Sequence, residues 1–205
     1  MLYKHIIPIN LLFILLTSFI FPRQMNPAPE TRKWVISQNS NLRVNGSTNV
    51  NKFTCEILAY DQTDTLTISK GKGDKEIGLS GSISLKVQSF DCHNSIMTHD
   101  LQKTLKEKQF PCLHISFLSL SRLPELSARS EPITGKVDIE IAGTRKRFDI
   151  NYRISIDAQK NIHLLGSQDV NFSDFNLKPP RKLGGLIKTD DKLSVDFHLK
   201  MRTME

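Results

Sequence analysis

The strongest regularity along the chain is a period of two in its apolar residues. Ile77, Leu79, Gly81, Ile83, Leu85 and Val87 alternate with Gly78, Ser80, Ser82, Ser84 and Lys86. Leu193, Val195, Phe197, Leu199 and Met201 alternate in the same way with Lys192, Ser194, Asp196, His198 and Lys200. Successive strand residues point to opposite faces, so this pattern predicts strands with one buried and one wet side. Phe53, Cys55, Ile57 and Ala59 form a third such face, and Val137, Ile139 and Ile141 a fourth. After Ala142-Gly143-Thr144, a tight-turn signal, Phe148, Ile150, Tyr152, Ile154 and Ile156 form the returning face. Further strands are predicted over 34–44, 65–69, 113–120 and 161–172. About eight or nine strands joined by short turns predict an all-β domain, a sandwich or an up-and-down barrel. Several strands are long, and long open edges invite aggregation, which favours closure into a barrel.

Two segments break the rhythm. Between Ser95 and Lys108 the apolar residues Met97, Leu101 and Leu105 recur at i, i+4 and i+8, one face of a helix. Asn94 or Ser95 is placed to cap it, Lys103 and Glu107 stand one turn apart, and Pro111 ends it. The stretch 173–185, with Pro179-Pro180 and Gly184-Gly185, is too broken for a regular element and is expected to form a loop over one end of the domain.

The first thirty residues differ in kind. Lys4 and His5 precede an apolar run from Ile6 to Phe21, followed by a polar, proline-containing exit. That arrangement predicts a secretory signal over 1–24, a short linker over 25–32 and a barrel domain over 33–204. An uncleaved anchor is the rival reading, but the run falls short of the ~20 apolar residues that a spanning helix needs. Export matters for the three cysteines, Cys55, Cys92 and Cys112, because disulfides persist outside the cytosol. An odd number leaves one unpaired. Cys55 and Cys92, each at the end of a predicted strand in the first half, are the expected bridge. The net charge of +7 is spread out. Its densest clusters are Arg145-Lys146-Arg147 and Lys178, Arg181 and Lys182, either a solvated rim or an attraction for anionic headgroups. No nucleic-acid motif accompanies them, so no nucleic-acid partner is expected.

Taken in order, these features resemble the YceI-like family over about Lys33 to Met201. Trp34 opens a strand, followed by Ser40-Asn41-Leu42-Arg43-Val44 and by Gly46-Ser47-Thr48-Asn49-Val50-Asn51-Lys52-Phe53. Phe90-Asp91-Cys92 leads into the block Met97, Asp100, Leu105, Phe110-Pro111 and Ile115-Ser116-Phe117. Ile133 to Ile139 precede the Gly143-Thr144 turn, and Asn171-Phe172-Ser173-Asp174-Phe175 with Pro179-Pro180 closes the series. One departure stands out: where many members carry histidines near the opening strands, this chain has Asn39-Ser40 and Asn49-Val50-Asn51, so no role for those imidazoles transfers. The resemblance implies a lipocalin-like antiparallel barrel of about eight strands with one short helix near 95–108. It implies export to the bacterial periplasm and an isoprenoid or similar long apolar ligand, such as a polyprenyl or quinone-like lipid, inside the barrel for carriage or sequestration. The alternative is a filled barrel that acts through contacts with other envelope proteins.

The chemistry-bearing residues point away from catalysis. His93, His99 and Asp100 cluster in sequence, but their spacing matches no ligand pair. No nucleophile elbow, phosphate loop, paired Cys-x-x-Cys or His-Glu-x-x-His stretch occurs. The expectation is a protein that is no enzyme and holds no metal. The candidate ligand contacts are Leu42, Val44, Phe53, Ile57, Leu85, Val87, Ile115, Phe117, Ile139, Ile141, Phe148, Ile150 and Phe172 from the inward faces. Met97, Leu101 and Leu105 from the helix and Phe175 from the loop join them. The expected partners are the apolar lipid and, transiently, a membrane surface. Periodicity leaves the oligomeric state open, a homodimer included.

Overall fold

The computed structural model describes residues 31–70 and 77–204; the expected signal over 1–24 and most of the linker lie outside them. In chain order the elements are β1 (Thr31–Ile36), β2 (Asn41–Ser47), β3 (Lys52–Ile57), β4 (Thr65–Lys70), β5 (Ile77–Lys86), α1 (Ser95–Thr104), β6 (Cys112–Leu120), β7 (Glu131–Ile141), β8 (Thr144–Ile156), β9 (Ile162–Asn171), β10 (Arg181–Lys182), β11 (Ile187–Lys188) and β12 (Lys192–Thr203). Strands β1-β4-β5-β6-β7-β8-β9-β12 form an eight-stranded antiparallel ring, which closes where β12 returns to β1. The all-β, lipocalin-like barrel with one helix is therefore the observed fold.

Alternation builds each wall. In β8, Phe148, Ile150, Tyr152 and Ile154 are buried between exposed Arg147, Asp149, Asn151 and Arg153. Each such apolar side chain contributes about 1.5–3 kcal/mol on leaving water. The outer face is charged and hydroxylated, the inverse of a barrel that spans lipid. The reversal from β7 to β8 uses Ala142 and Gly143, at φ of 50° and 78°. Two successive positive φ values match the twist of a two-residue hairpin. A side chain at 143 would also meet the Phe110 ring at 2.8 Å, because that ring packs on the turn.

Two expectations are refined. The predicted strand over 34–44 divides into β1 and β2. The twelve-residue β12 serves both: Met201–Thr203 pair with β1, and Ser194–His198 pair with β2. Between them Ser40 is buried, and its hydroxyl accepts from Lys200 N at 3.0 Å. The helix begins as predicted, with Asn94 Oδ1 accepting from Met97 N at 3.0 Å, but ends at Thr104 rather than near 108. Lys106 adopts a positive φ of 55°, which unwinds the last turn, and Glu107 accepts from Gln88 instead of pairing with Lys103.

Closure is uneven. β4 pairs with only the first part of β5, and β3 pairs with β2 alone along its length. The seam between β3 and the later part of β5 is held by other means. Tyr60 Oη accepts from Ser84 N at 3.2 Å, Glu56 and Asp91 form an isolated bridge, and Cys55 and Cys92 are joined by a disulfide. Cys112 is half-buried and free.

Candidate functional site

The barrel interior divides across its axis into a filled half and a hollow half. The filled half holds Trp34 and Ile36 of β1, Leu66 and Ile68 of β4, and Leu79, Leu120, Ile133, Ile154, Ile162, Leu164 and Met201, all nearly inaccessible to solvent. None of these residues borders the cavity. Trp34 Nε1 is buried there without a hydrogen-bond partner.

The hollow half encloses a cavity of about 110 Å³. Its lining follows β12 from Leu193 to Leu199, about 20 Å at ~3.3 Å per residue, so a small volume is drawn out along the barrel. Strands β2, β3, β5, β6, β7, β8 and β9 supply the rest of the wall, and Leu101 and Leu105 of α1 cover part of it. Lining residues Ile115, Ile139, Ile141, Val195 and Phe197 remain only half-buried although they lie on inward faces. No charged side chain lines the cavity among the described residues; the polar members are Ser40, Asn41, Gln168, Tyr60 and Tyr152. Both tyrosines are held neutral. Burial raises each phenol's pKa, and at Tyr60 the neighbouring Asp64 carboxylate adds to the effect by accepting its hydroxyl. A site of this kind binds by excluding water from hydrocarbon and offers no group suited to general acid or base work near neutrality.

The candidate contacts separate into two sets. Leu42, Val44, Ile57, Leu85, Leu101, Leu105, Ile115, Phe117, Ile139, Ile141 and Ile150 line the cavity. Phe53, Val87, Met97, Phe148, Phe172 and Phe175 lie outside its lining. Phe53 instead packs against Gly46, and the Phe148 and Phe175 rings meet with centroids 6.2 Å apart. Phe172 and Phe175 belong to a 3-10 turn whose Asp174 is ion-paired with Lys146, so this aromatic group plugs the barrel beside β8. The cavity also takes in Ile83, Leu113, Val137, Phe90 and the β12 face, which the candidate set omits. Their alternation is legible in the chain; what alternation lacks is any sign of which half of an inward face is filled.

His93 and His99 are exposed, while Asp100 binds Lys182 with N–O of 2.6 Å. Arg145, Lys146 and Arg147 are each matched, to Glu140, Asp174 and Asp138. Hydrogen bonding from Arg147 holds the Asp138 carboxyl below its usual range. This densest run of cations is therefore internally neutralised.

No family model and no curated protein matches the sequence. Solved structures do match the architecture. A polyisoprenoid binding domain from Saccharophagus degradans, implicated in plant cell wall breakdown, superposes with a TM-score of 0.63 at 11% identity, covering 83% of this chain and 98% of that one. BcnA of Burkholderia cenocepacia gives 0.58 at 12% identity, over 78% and 95% of the two chains. A mutant CJ YCEI protein gives 0.51 at 14%, over 71% and 83%. The chain has the YceI-like fold. At these identities the likeness lies in the backbone course of the YceI-like barrel.

Proposed function

We propose that the protein binds a slender apolar lipid, an isoprenoid or a similar long hydrocarbon chain, in the hollow half of its barrel for carriage or sequestration. The observation that carries this reading is the uncharged, apolar lining drawn out along about 20 Å of β12. The volume is below the ~300–1,000 Å³ of sites for drug-sized molecules, which favours a thin chain over a ring system. Each methylene buried is worth about 0.8 kcal/mol, so ten carbons supply ~8 kcal/mol, which corresponds to roughly micromolar affinity before ordering costs. The polyisoprenoid-binding activity named for the Saccharophagus degradans domain supports the same ligand class. The apolar run 6–21 and the Cys55–Cys92 disulfide support an exported, periplasmic protein.

The test is to purify the protein from its own cells, extract it with organic solvent and identify the extract by mass spectrometry. A stoichiometric prenyl or other long-chain lipid is the expected result. Protein that arrives empty and takes up no prenyl lipid in vitro overturns the reading.

A further inference from the structure

We infer that the α1 end of the barrel is a docking surface for an anionic phospholipid bilayer, with the β10–β11 turn as its inserted tip. The inference rests on the lipid-binding reading for its purpose, but its evidence lies on the outer surface. β10 and β11 form a hairpin around Leu183-Gly184-Gly185-Leu186. Leu183 and Leu186 are 70% and 75% exposed. Leu183, Gly184 and Gly185 all have positive φ, of 52°, 66° and 98°. The first is a conformation that a leucine rarely adopts. A side chain built at either glycine would meet nothing within 4 Å. The turn thus holds two leucines out into water without packing on the barrel.

Neighbouring elements extend the same apolar tip. Asn49 Nδ2 donates to Leu186 O at 2.9 Å, and Thr48 bridges to Thr189, which sets the exposed Val50 beside the turn. The Lys182–Asp100 ion pair fastens the hairpin to α1, where exposed Ile96 lies one turn before Asp100. Charge completes the surface. From Asn176 to Thr189 the chain carries Lys178, Arg181, Lys182 and Lys188 and no acid, and the two acids that follow, Asp190 and Asp191, accept hydrogen bonds from Ser47 and Ser173. Lys182 is paired; Lys178, Arg181 and Lys188 are exposed, with no carboxylate partner among the described residues. The Arg145–Arg147 run, by contrast, is neutralised. Bare leucines ringed by unpaired cations, at the end where the cavity lies, complement anionic headgroups above a hydrocarbon boundary. The opposite end presents polar turns such as 157–161, where Asp157 and Asn161 bond to one another.

The test uses the full chain with Cys112→Ser and Leu186→Cys, carrying an environment-sensitive fluorophore at position 186. A second protein carries it at Ala158→Cys on the opposite end. Vesicles are phosphatidylcholine alone or mixed with phosphatidylglycerol. The label at 186 is expected to shift to the blue on the mixed vesicles only, and the label at 158 on neither. Each removed cation is expected to weaken binding about fivefold, so Lys178→Gln/Arg181→Gln/Lys188→Gln weakens it about a hundredfold. Leu183→Ser is expected to weaken it while leaving the circular-dichroism melt unchanged. A label at 186 that stays in water, or that shifts equally on neutral vesicles, overturns the inference, as does full binding by the triple variant. The 158 control separates docking by this surface from attachment through residues 1–30. Solvent extraction reads the interior and the vesicles read the tip, so either proposal can fail alone.

Discussion

A β-carbon at position 166 would lie 2.2 Å from Phe197 Cζ, because the Phe197 ring covers this glycine on the neighbouring strand. Tyr152 meets the same ring edge-on at 5.7 Å, so Gly166 sets the position of two cavity-lining aromatics. At position 135 the nearest atom to a new β-carbon is a backbone oxygen, Ser119 O at 2.5 Å. A ring can swing aside and a backbone cannot. Gly166→Ala is therefore expected to cost about 1–3 kcal/mol and to reduce lipid load, with Gly135→Ala costing more stability. Denaturant unfolding and lipid content of the two variants check this.

A second residue-scale feature lies on the outer wall. His163 Nδ1 and His198 Nε2 are 2.8 Å apart, and His163 Nε2 is 3.0 Å from Asp157 Oδ2. Burial, with help from His163 and Lys200, lowers the pKa of His198. The Asn161 amide first, then His163 and two backbone N–H groups, hold Asp157 well below the carboxylate range. Both groups bind protons less readily folded than unfolded. The stability from His198 is present above the ordinary imidazole value of about 6.5 and is lost as the pH falls below it. That from Asp157 is lost only further down, below about 3.9. Melting temperature is expected to drop between about pH 7.5 and pH 5.5, and His198→Gln is expected to flatten that slope.

At the scale of elements, the seam between β3 and β5 is the place where closure depends on something other than a strand ladder. The disulfide spans 37 residues and ties β3 to the segment after β5. A loop of 37 residues corresponds to about 4 kcal/mol in the chain-entropy model. Cys55→Ala/Cys92→Ala is expected to lose about that much in denaturant unfolding, the seam opening first in hydrogen exchange at Ser84. The strands themselves were largely legible in the chain, because a half-buried strand has no other pattern to follow. The sharing of β12 by β1 and β2 was not. Ser37-Gln38-Asn39-Ser40-Asn41 is a polar, turn-forming run that signals an interruption, but period two on either side of it does not say that both halves pair with the same strand, which the length of β12 decides.

For the molecule as a whole, the decisive fact is that one half of the barrel is solid and the other hollow. Trp34→Ala in the solid half is expected to cost about 3–5 kcal/mol without changing the lipid bound per folded molecule. Ile139→Trp in the hollow half is expected to cut bound lipid more than tenfold while the melting temperature moves only a few degrees, because the lumen has room for the ring. Thermal melts with lipid quantification on the same samples separate the two halves.

The chain by itself determined the all-β class, the inward faces, the Ala142-Gly143 reversal and a helix start at Asn94 or Ser95, since each depends on local geometry or on a period of two. It also singled out a large part of the lining, since Leu42, Ile57, Ile115, Ile139 and Ile150 had to face inward. Tertiary structure alone decided which inward residues meet a cavity and which meet each other. Phe148 faces inward as surely as Ile150, yet Phe175 packs against it and closes that corner. It likewise decided which cations stay free: Arg145 to Arg147 find acids across the β7–β8 ladder and on the 3-10 turn, while Arg181 and Lys188 find none among the described residues. Volume and charge pairing depend on neighbours far apart in sequence, and no local pattern encodes them.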